Sequence, residues 1–384
     1  DIFGNKNQTE ERLVNVDSAP PGINFTNPTP SNASVISNSS VEINVSIVES
    51  QLGDVRFRWN GTNYTFYNDS LLLMYNFENL ASLGESSTFV RDLSLYGNNG
   101  TIVGATSANG RYGKGFDFHG TGSDDIINAT SASVLDNIAP LTIIAWVYPR
   151  SVGENGRGRI FDKANGNGPS DGWALHFPLG TPNALLFSVD FGPLASDSLD
   201  RQTGANNVTM NQWQQVAVTW GGSSSASNVH IYINGIETAY SVTNDGTNPI
   251  PDTDAAQDLK IGNSKQLDRT FDGIIDEPRI WNRVLSADEV KEQYYSNLFK
   301  YNQTLWYLYV NQSKNFTAGL ENGTYTYFAA AKDRLGYRNQ TETRTVTIGG
   351  VSCGFLSQQN SVYNLMQDVT AGGTCFNVTA NNVT

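Results

Sequence analysis

The chain has little of what most chemistry needs. Two cysteines and three histidines in 384 residues leave thiol relays and Cys/His metal clusters with almost nothing to draw on. His119, His176 and His230 are isolated from one another, each reading as a strand residue rather than a ligand. Positive charge is also scarce, with 24 Lys and Arg against 37 Asp and Glu and a formal net charge of −13. No basic run interrupts that excess, so nucleic acid and an anionic membrane surface are excluded as expected partners, since both would repel the chain. No stretch approaches the roughly 20 consecutive apolar residues of a spanning helix. There is no G-x-S-x-G elbow, no H-E-x-x-H and no phosphate-binding loop. Asp1 opens neither a signal peptide nor a Met-initiated chain, and the expectation is a processed form or a fragment.

What is abundant is the punctuation of strands. From Leu71 to Leu298 short alternating runs follow one another: YGKGFDFHG (112–120), LTIIAWVYPR (141–150), GRIFDKA (158–164), GWALHF (172–177), NALLFSVDFG (183–192), WQQVAVTWGG (213–222), NVHIYINGIE (228–237) and DLKIGNS (258–264). Runs of this length, set apart by Gly, Asn, Asp and Ser, predict a two-sheet antiparallel sandwich. Taken in order, MYNFEN, DLSLYGNNGTIVG, GRYGKGFDFHG, LTIIAWVYP, WQQVAVTWGG with HIYINGIE, and FDGIIDEPRIWNRVLS resemble the laminin-G/concanavalin-A-like jelly roll, over about 220 residues. Ser286 and Glu289 spell an S-x-x-E capping box. It predicts a short helix at ADEVKEQYYSNL (287–298), as such domains commonly finish.

That resemblance carries chemical expectations. Glucanases of this class set carboxylates on one strand with an E-x-D-x-E spacing, which this sequence lacks. Asp276-Glu277 is the nearest acidic pair, and neighbours on a strand face opposite ways. The expectation is therefore a chain that is not an enzyme. The resemblance further implies a structural Ca2+ tying an early loop to the closing acidic strand, carried here onto Asp92, Asn99 and Asp276, because calcium takes six to eight oxygens. The alternative stands beside it: Asp92 caps a turn and Asp276 is a satisfied structural carboxylate. DTDAAQD (252–258) has acidic spacing but no Gly turn and no terminal Glu, and reads as a solvated loop. Jelly rolls also bind carbohydrate through aromatics at a rim or face. Trp173, Tyr148, Phe191 and Tyr240 are available for that role, although aromatics in alternating strands usually belong to the core.

The flanks follow a second pattern. VEINVSIVES and DVRFRWNGTNYTFY, with Asn60-Gly61 as a hairpin turn, are opening strands that leave one sheet without a partner. The missing strands appear after the jelly roll as TLWYLYVNQS (304–313), GTYTYFAAAKD (323–333) and TETRTVTIGG (341–350). LENGTYTYFAAAKDRLG resembles the late strands of fibronectin-III and Ig-like modules, with a Tyr near Tyr325 at the corner. The expected fold class is all-β: an Ig-like β-sandwich, residues 17–70 and 299–350, split by the insertion of a jelly roll, residues 71–298, whose ends lie close together. Residues 351–384 resemble the first coil of a right-handed parallel β-helix, with Cys353 and Cys375 expected to form a disulfide that fixes it. Residues 1–16, DIFGNKNQTEERLVNV, align with 333–348, DRLGYRNQTETRTVTI. They are written like the last strand of a preceding Ig-like domain, either continuous upstream or donated between subunits.

Asn-x-Ser/Thr sequons are distributed unevenly. Asn7, Asn24, Asn32, Asn38, Asn44, Asn60, Asn63 and Asn68 precede the jelly roll, Asn302, Asn311, Asn315, Asn322 and Asn339 follow it, and Asn377 and Asn382 sit at the end. The longer interior holds Asn99, Asn128 and Asn207. This pattern fits either an Asn/Thr-rich solvent face or N-glycosylation of an extracellular protein. The wording most resembles large modular surface proteins of archaea. The expected function is that of a glycosylated, extracellular structural or adhesive component of the cell envelope, a surface filament subunit among the forms it could take, with copies of itself, other surface proteins or glycans as partners. The competing reading is a carbohydrate-binding region of a larger secreted polysaccharide-active enzyme.

Overall fold

The computed structural model describes residues 19–36, 38–129, 133–166, 171–313 and 318–349, with segments 354–356 and 376–378 and residue 381. The strand expected in residues 1–16 lies outside them. Of the expected β-helix coil, the described part is one parallel pair, Gly354–Leu356 with Phe376–Val378. The expected Cys353–Cys375 disulfide is not borne out: no disulfide occurs among the described residues, and both cysteines lie outside them.

Residues 71–281 build two facing sheets. One runs Ile236–Glu237, Val229–Ile233, Gln214–Trp220, Leu141–Pro149, Asp272–Trp281, Lys114–His119 and Thr106–Asn109, with Leu71–Met74 also paired to Asp272–Trp281. The other runs Tyr240–Asn244, Leu199–Thr203, Leu186–Val189, Trp173–His176, Arg159–Lys163, Leu259–Ile261, Ile126–Ala129, Gly100–Val103 and Phe89–Val90. Their inner faces close over Tyr75, Phe116, Phe118, Phe161, Leu175, Phe187, Val218 and Trp220. The loop 252–258 is solvated only in part: Thr253, Ala255 and Ala256 are exposed, whereas Asp254 and Gln257 are buried. Asp254 is buried and accepts from the Asn137 N–H at 2.7 Å, while Lys163 Nζ donates to the Asp254 and Gln257 carbonyls at 3.1 and 2.7 Å. A buried lysine needs such partners, and the loop supplies them.

The flanking segments form two further sheets of their own. Gly22–Thr26, Val41–Val48, Leu305–Gln312 and Ser296–Lys300 make a four-stranded sheet. Ser34–Ile36, Arg344–Ile348, Gly323–Asp333, Leu52–Trp59 and Thr62–Tyr67 make the path of a six-stranded one, with Arg338–Gln340 paired to Gly323–Asp333. Residues on either side of the jelly roll thus meet strand to strand, as in Val45 opposite Leu308 and Phe57 opposite Ala329. Asn60 and Gly61, at φ 45° and 93°, make the left-handed turn between Leu52–Trp59 and Thr62–Tyr67, the conformation a two-residue hairpin demands.

Two boundaries differ from the sequence reading. The helix spans Ala287–Tyr295, capped by Ser286 Oγ accepting from the Glu289 N–H at 3.2 Å. It stops there because Ser296–Lys300 is claimed as a strand by Leu305–Gln312, so residues 296–298 belong to the flanking sheet. Leu141–Pro149 is buried on both faces. Its outward-facing Ile144 joins Trp281, Val290, Leu298 and Trp306 in the second core, which explains why LTIIAWV reads as nearly continuous apolar sequence.

Between the two cores lies a buried polar knot. Glu277, in the left-handed region at φ 52°, interrupts the alternation of its strand where the pairing with Leu141–Pro149 shifts register. Asp276 and Glu277 are therefore both buried instead of facing opposite ways. Glu277 Oε2 accepts from Asn76 at 2.6 Å and Arg279 at 2.8 Å, and its Oε1 accepts from Asn297 at 3.0 Å. Arg279 also donates to Asn297 Oδ1 at 2.6 Å, the Leu298 carbonyl at 3.0 Å and Gln293 Oε1 at 3.1 Å. Strand, helix and flanking sheet share one set of hydrogen bonds. Replacing Arg279 with Met removes the charge that answers Glu277, and is expected to cost about 3–5 kcal/mol, read as a lower urea midpoint with the native fluorescence spectrum retained before unfolding.

Candidate functional site

Asp92 organises the turn around itself, whereas Asp276, on the strand Asp272–Trp281, holds a separate turn at Arg111 and Tyr112. Asp92 Oδ1 accepts from the Met74 and Ser94 N–H groups, both at 2.9 Å, and Oδ2 accepts from Ser94 Oγ at 2.6 Å and the Asn98 N–H at 2.7 Å. Asn99 Oδ1 accepts from the Asp92 N–H at 2.9 Å. Burial pushes the Asp92 carboxyl up, and the Ser94, Met74 and Asn98 bonds pull it back. Asp276 Oδ2 accepts from the Arg111 and Tyr112 N–H groups at 2.9 and 3.0 Å, and Oδ1 from the Glu277 N–H at 2.8 Å. Burial first, then the neighbouring Glu277 charge, pushes Asp276 well above the carboxylate range. These surroundings do not fit calcium. N–H and O–H donors already occupy all four lone-pair positions of Asp92, where a cation would need bare oxygens. No group of three His, Cys, Asp or Glu side chains with metal-binding geometry occurs among the described residues. The geometry favours the turn-organising alternative. EDTA is expected to leave the melting temperature unchanged, whereas Asp92→Asn, which turns an amide NH2 toward N–H donors, is expected to lower it with or without chelator, at a cost of about 1–3 kcal/mol.

Of the aromatics singled out in the jelly roll, two are buried and two are half-buried against neighbouring side chains. Trp173 and Phe191 are core residues. Tyr240 is covered by the Arg201 guanidinium, 3.5 Å from its ring centre, and donates to Glu237. Tyr148 packs on Trp213 with ring centres 5.7 Å apart.

A cleft of 880 Å³ opens elsewhere, where the four-stranded sheet meets the jelly roll. Its walls carry Tyr112, Phe299, Tyr301, Tyr307 and Tyr309, with Thr26, Asn27, Asn44, Asn297 and Glu78 between them. Tyr307 and Tyr309 stand there because Trp306, Leu308 and Val310 take the buried face of the same strand, so the intervening positions point outward. Phe299 and Tyr307 stack at 5.5 Å with planes 30° apart, and Tyr301 meets Tyr307 edge-on at 6.3 Å. Across the junction Tyr309 meets Tyr112 at 6.1 Å, and Tyr112 leans on Trp146 at 5.9 Å. Asn44 is held by its Nδ2–H to the Asn27 carbonyl at 3.1 Å.

Glu78 is the one acid in this lining. Its Oε2 accepts from the Lys114 N–H at 3.2 Å across Gly113. A Cβ at Gly113 would sit 2.1 Å from that oxygen, and the glycine is at φ 57°. Burial, with the Glu277 charge behind it, raises the Glu78 carboxyl to about 7. Near neutral pH it can accept from or donate to a hydroxyl. Glycoside hydrolysis in its usual form takes two carboxylates across one bond, and this cleft presents one. The sequence reading missed both tyrosines; the one signal that could have pointed to them is LWYLYV, with tyrosines at i and i+2 opposite the buried face of Trp306, Leu308 and Val310. The cleft's other wall comes from residues about 200 positions away.

The fold is all-β and contains a concanavalin A/laminin-G-like domain. Residues 121–291, less than half of the chain, match a family model described as the concanavalin A-like lectin/glucanases superfamily. No curated protein matches the chain. Among solved structures, the binding domain of Paraclostridial Mosquitocidal Protein 1 is similar at 16% identity and a TM-score of 0.44, over 60% of this chain and 54% of that one. The binding domain of botulinum neurotoxin serotype G is similar at 18% identity and a TM-score of 0.42, over 58% of this chain and 50% of that one. The chain thus matches about half the length of these two structures. Domain 4 of AbnA, an extracellular arabinanase of Geobacillus stearothermophilus in complex with arabinotriose, is similar at 20% identity and a TM-score of 0.36, over 58% of this chain and 97% of that one. No helix among the described residues is long and apolar enough to cross a membrane.

Proposed function

We propose that this chain is a non-catalytic, carbohydrate-binding part of a glycosylated extracellular protein with a structural or adhesive role at the cell surface, and that the junction cleft receives the sugar. One observation carries the reading: the cleft joins a wall of tyrosine and phenylalanine rings to amides and a single carboxyl group. A pyranose has an apolar face of C–H groups that lies flat on an aromatic ring and a rim of hydroxyls that exchange hydrogen bonds with amides and carboxyls. Pockets that mix apolar walls with a few fixed polar groups are the usual form of a small-molecule site. In this reading the four- and six-stranded sheets are an Ig-like host for the inserted jelly roll. Tyr325, whose hydroxyl donates to the Glu321 carbonyl four residues upstream at 2.9 Å, supports it as a corner tyrosine.

A glycan array with the full chain, followed by calorimetry on the best sugar, tests the cleft. Tyr307→Ala and Tyr309→Ala are each expected to weaken binding about tenfold, the loss of about 1.4 kcal/mol of stacking. Silence on the array, or full affinity in both variants, overturns the proposal.

Exposure supports glycan on the flanking sequons. Asn24, Asn32, Asn38, Asn60, Asn311 and Asn322 are exposed. The interior Asn99, Asn128 and Asn207 are half-buried, with Asn128 donating to Asp258 at 3.3 Å and Asn207 to the Gly204 carbonyl at 2.9 Å. Peptide mapping of protein from its native source is expected to find sugar on flanking sites first; a bare polypeptide mass ends this part of the reading.

A further inference from the structure

The outer face of the six-stranded sheet holds a second depression, of 390 Å³, which shares no lining residue with the tyrosine cleft and is of opposite character. Its lining includes Arg56, Arg58, Lys332 and Arg338, against one acid, Asp54. In a chain with a formal charge of −13, this is a local reversal of sign. The strand registers show how it arises. Arg58 lies opposite Asn63 on one side and Phe328 on the other, Arg56 lies opposite Ala330, Ala330 lies opposite Gln340, and Lys332 lies opposite both Asp54 and Arg338. Ala330, the smallest side chain of this grid, forms a floor with cations around it and amides on two sides.

The charges are not arranged for stability. Lys332 and Arg338 are directly opposed across an antiparallel pair, where like charges are unfavourable. Arg56 and Arg58 project from the same face of one strand, roughly 7 Å apart. Asp54 is spent on Arg56, taking its Nε and Nη2 at 3.2 and 3.0 Å on one oxygen. Arg58 has for company the Phe328 ring, 5.8 Å from its Cζ. Arg58 and Arg338 are exposed. What this grid lacks is an anion, and guanidinium groups are suited to carboxylates through paired N–H donors.

We propose that this depression is a binding site for an acidic saccharide, a pyranose carrying a carboxylate, with Arg58, Lys332 and Arg338 as its charge contacts and Asn63 and Gln340 as partners for hydroxyls. A sheet floor with amides beside it and three cations unanswered in the lining offers partners for the two chemistries that a uronate carries, charge and hydroxyls. The site is separate from the tyrosine cleft and does not depend on it.

The test is calorimetry of the full chain with polygalacturonate in 10 mM salt, with dextran as the uncharged comparator. Saturable binding to polygalacturonate and none to dextran is expected. The Arg58→Gln, Arg338→Gln double variant should weaken it at least tenfold, and raising the salt to 150 mM should weaken it severalfold because surface charge contacts are screened. All replaced side chains are exposed or half-buried, and an unchanged far-UV spectrum confirms that the variants are folded. No binding to polygalacturonate, or binding that survives the double variant, overturns the proposal. So does a concentration-dependent dimer seen by sedimentation that the double variant abolishes while polygalacturonate has no effect, since the patch then serves a second copy of the chain.

Discussion

Glu277 and Arg279 decide how this molecule is put together. Both are buried, at 3% and 4% exposure, and 2.8 Å apart. Taking two charges out of water costs several kcal/mol each, and the attraction between them repays that only when their remaining donors and acceptors are also met. Here the completing groups come from elsewhere: Asn76 after the first jelly-roll strand, Gln293 in the helix, Asn297 and the Leu298 carbonyl in the flanking sheet. The pair is satisfied only when jelly roll, helix and flanking sheet are docked in one arrangement. Apolar contacts such as Ile144, Trp281 and Leu298 hold the junction together; the polar knot fixes its register.

The tyrosine cleft is a consequence of that docking. Its two walls belong to different sheets, and Asn297 both bonds to Glu277 and lines the cleft. Glu78 feels the Glu277 charge from behind, one of the causes that bring its carboxyl to about 7. The same buried charges that set the junction therefore tune the one ionisable group that the cleft presents. A shift in the docking would move the aromatic walls and the acid together.

The basic depression arises differently. It needs only the register of four neighbouring strands, since every side chain that builds it projects from one face of one sheet. Net charge concealed it. A formal charge of −13 describes the field at a distance, while a ligand in contact with the sheet meets Arg58, Lys332 and Arg338 within a Debye length.

Much was legible in order along the chain. The strands of the jelly roll, the Asn60-Gly61 turn and the Ser286 cap follow from local rules: alternation of apolar side chains, the left-handed backbone of a two-residue hairpin, and an oxygen placed to receive a free N–H. So did the pairing of segments either side of the jelly roll, because each half by itself left a hydrophobic face bare. What the sequence could not reveal depended on which residues meet across long separations. Trp173 and Phe191 look like binding aromatics until two sheets close over them, and Tyr307 and Tyr309 look like ordinary strand residues until Tyr112 and Glu78 are brought to face them. Asp92 has the composition of a calcium ligand, yet the N–H groups of Met74, Ser94 and Asn98 claim its oxygens. Local pattern determined what each segment becomes; tertiary packing decided which polar groups are left free to meet a ligand, because hydrogen-bonding capacity is shared out only when the chain closes on itself.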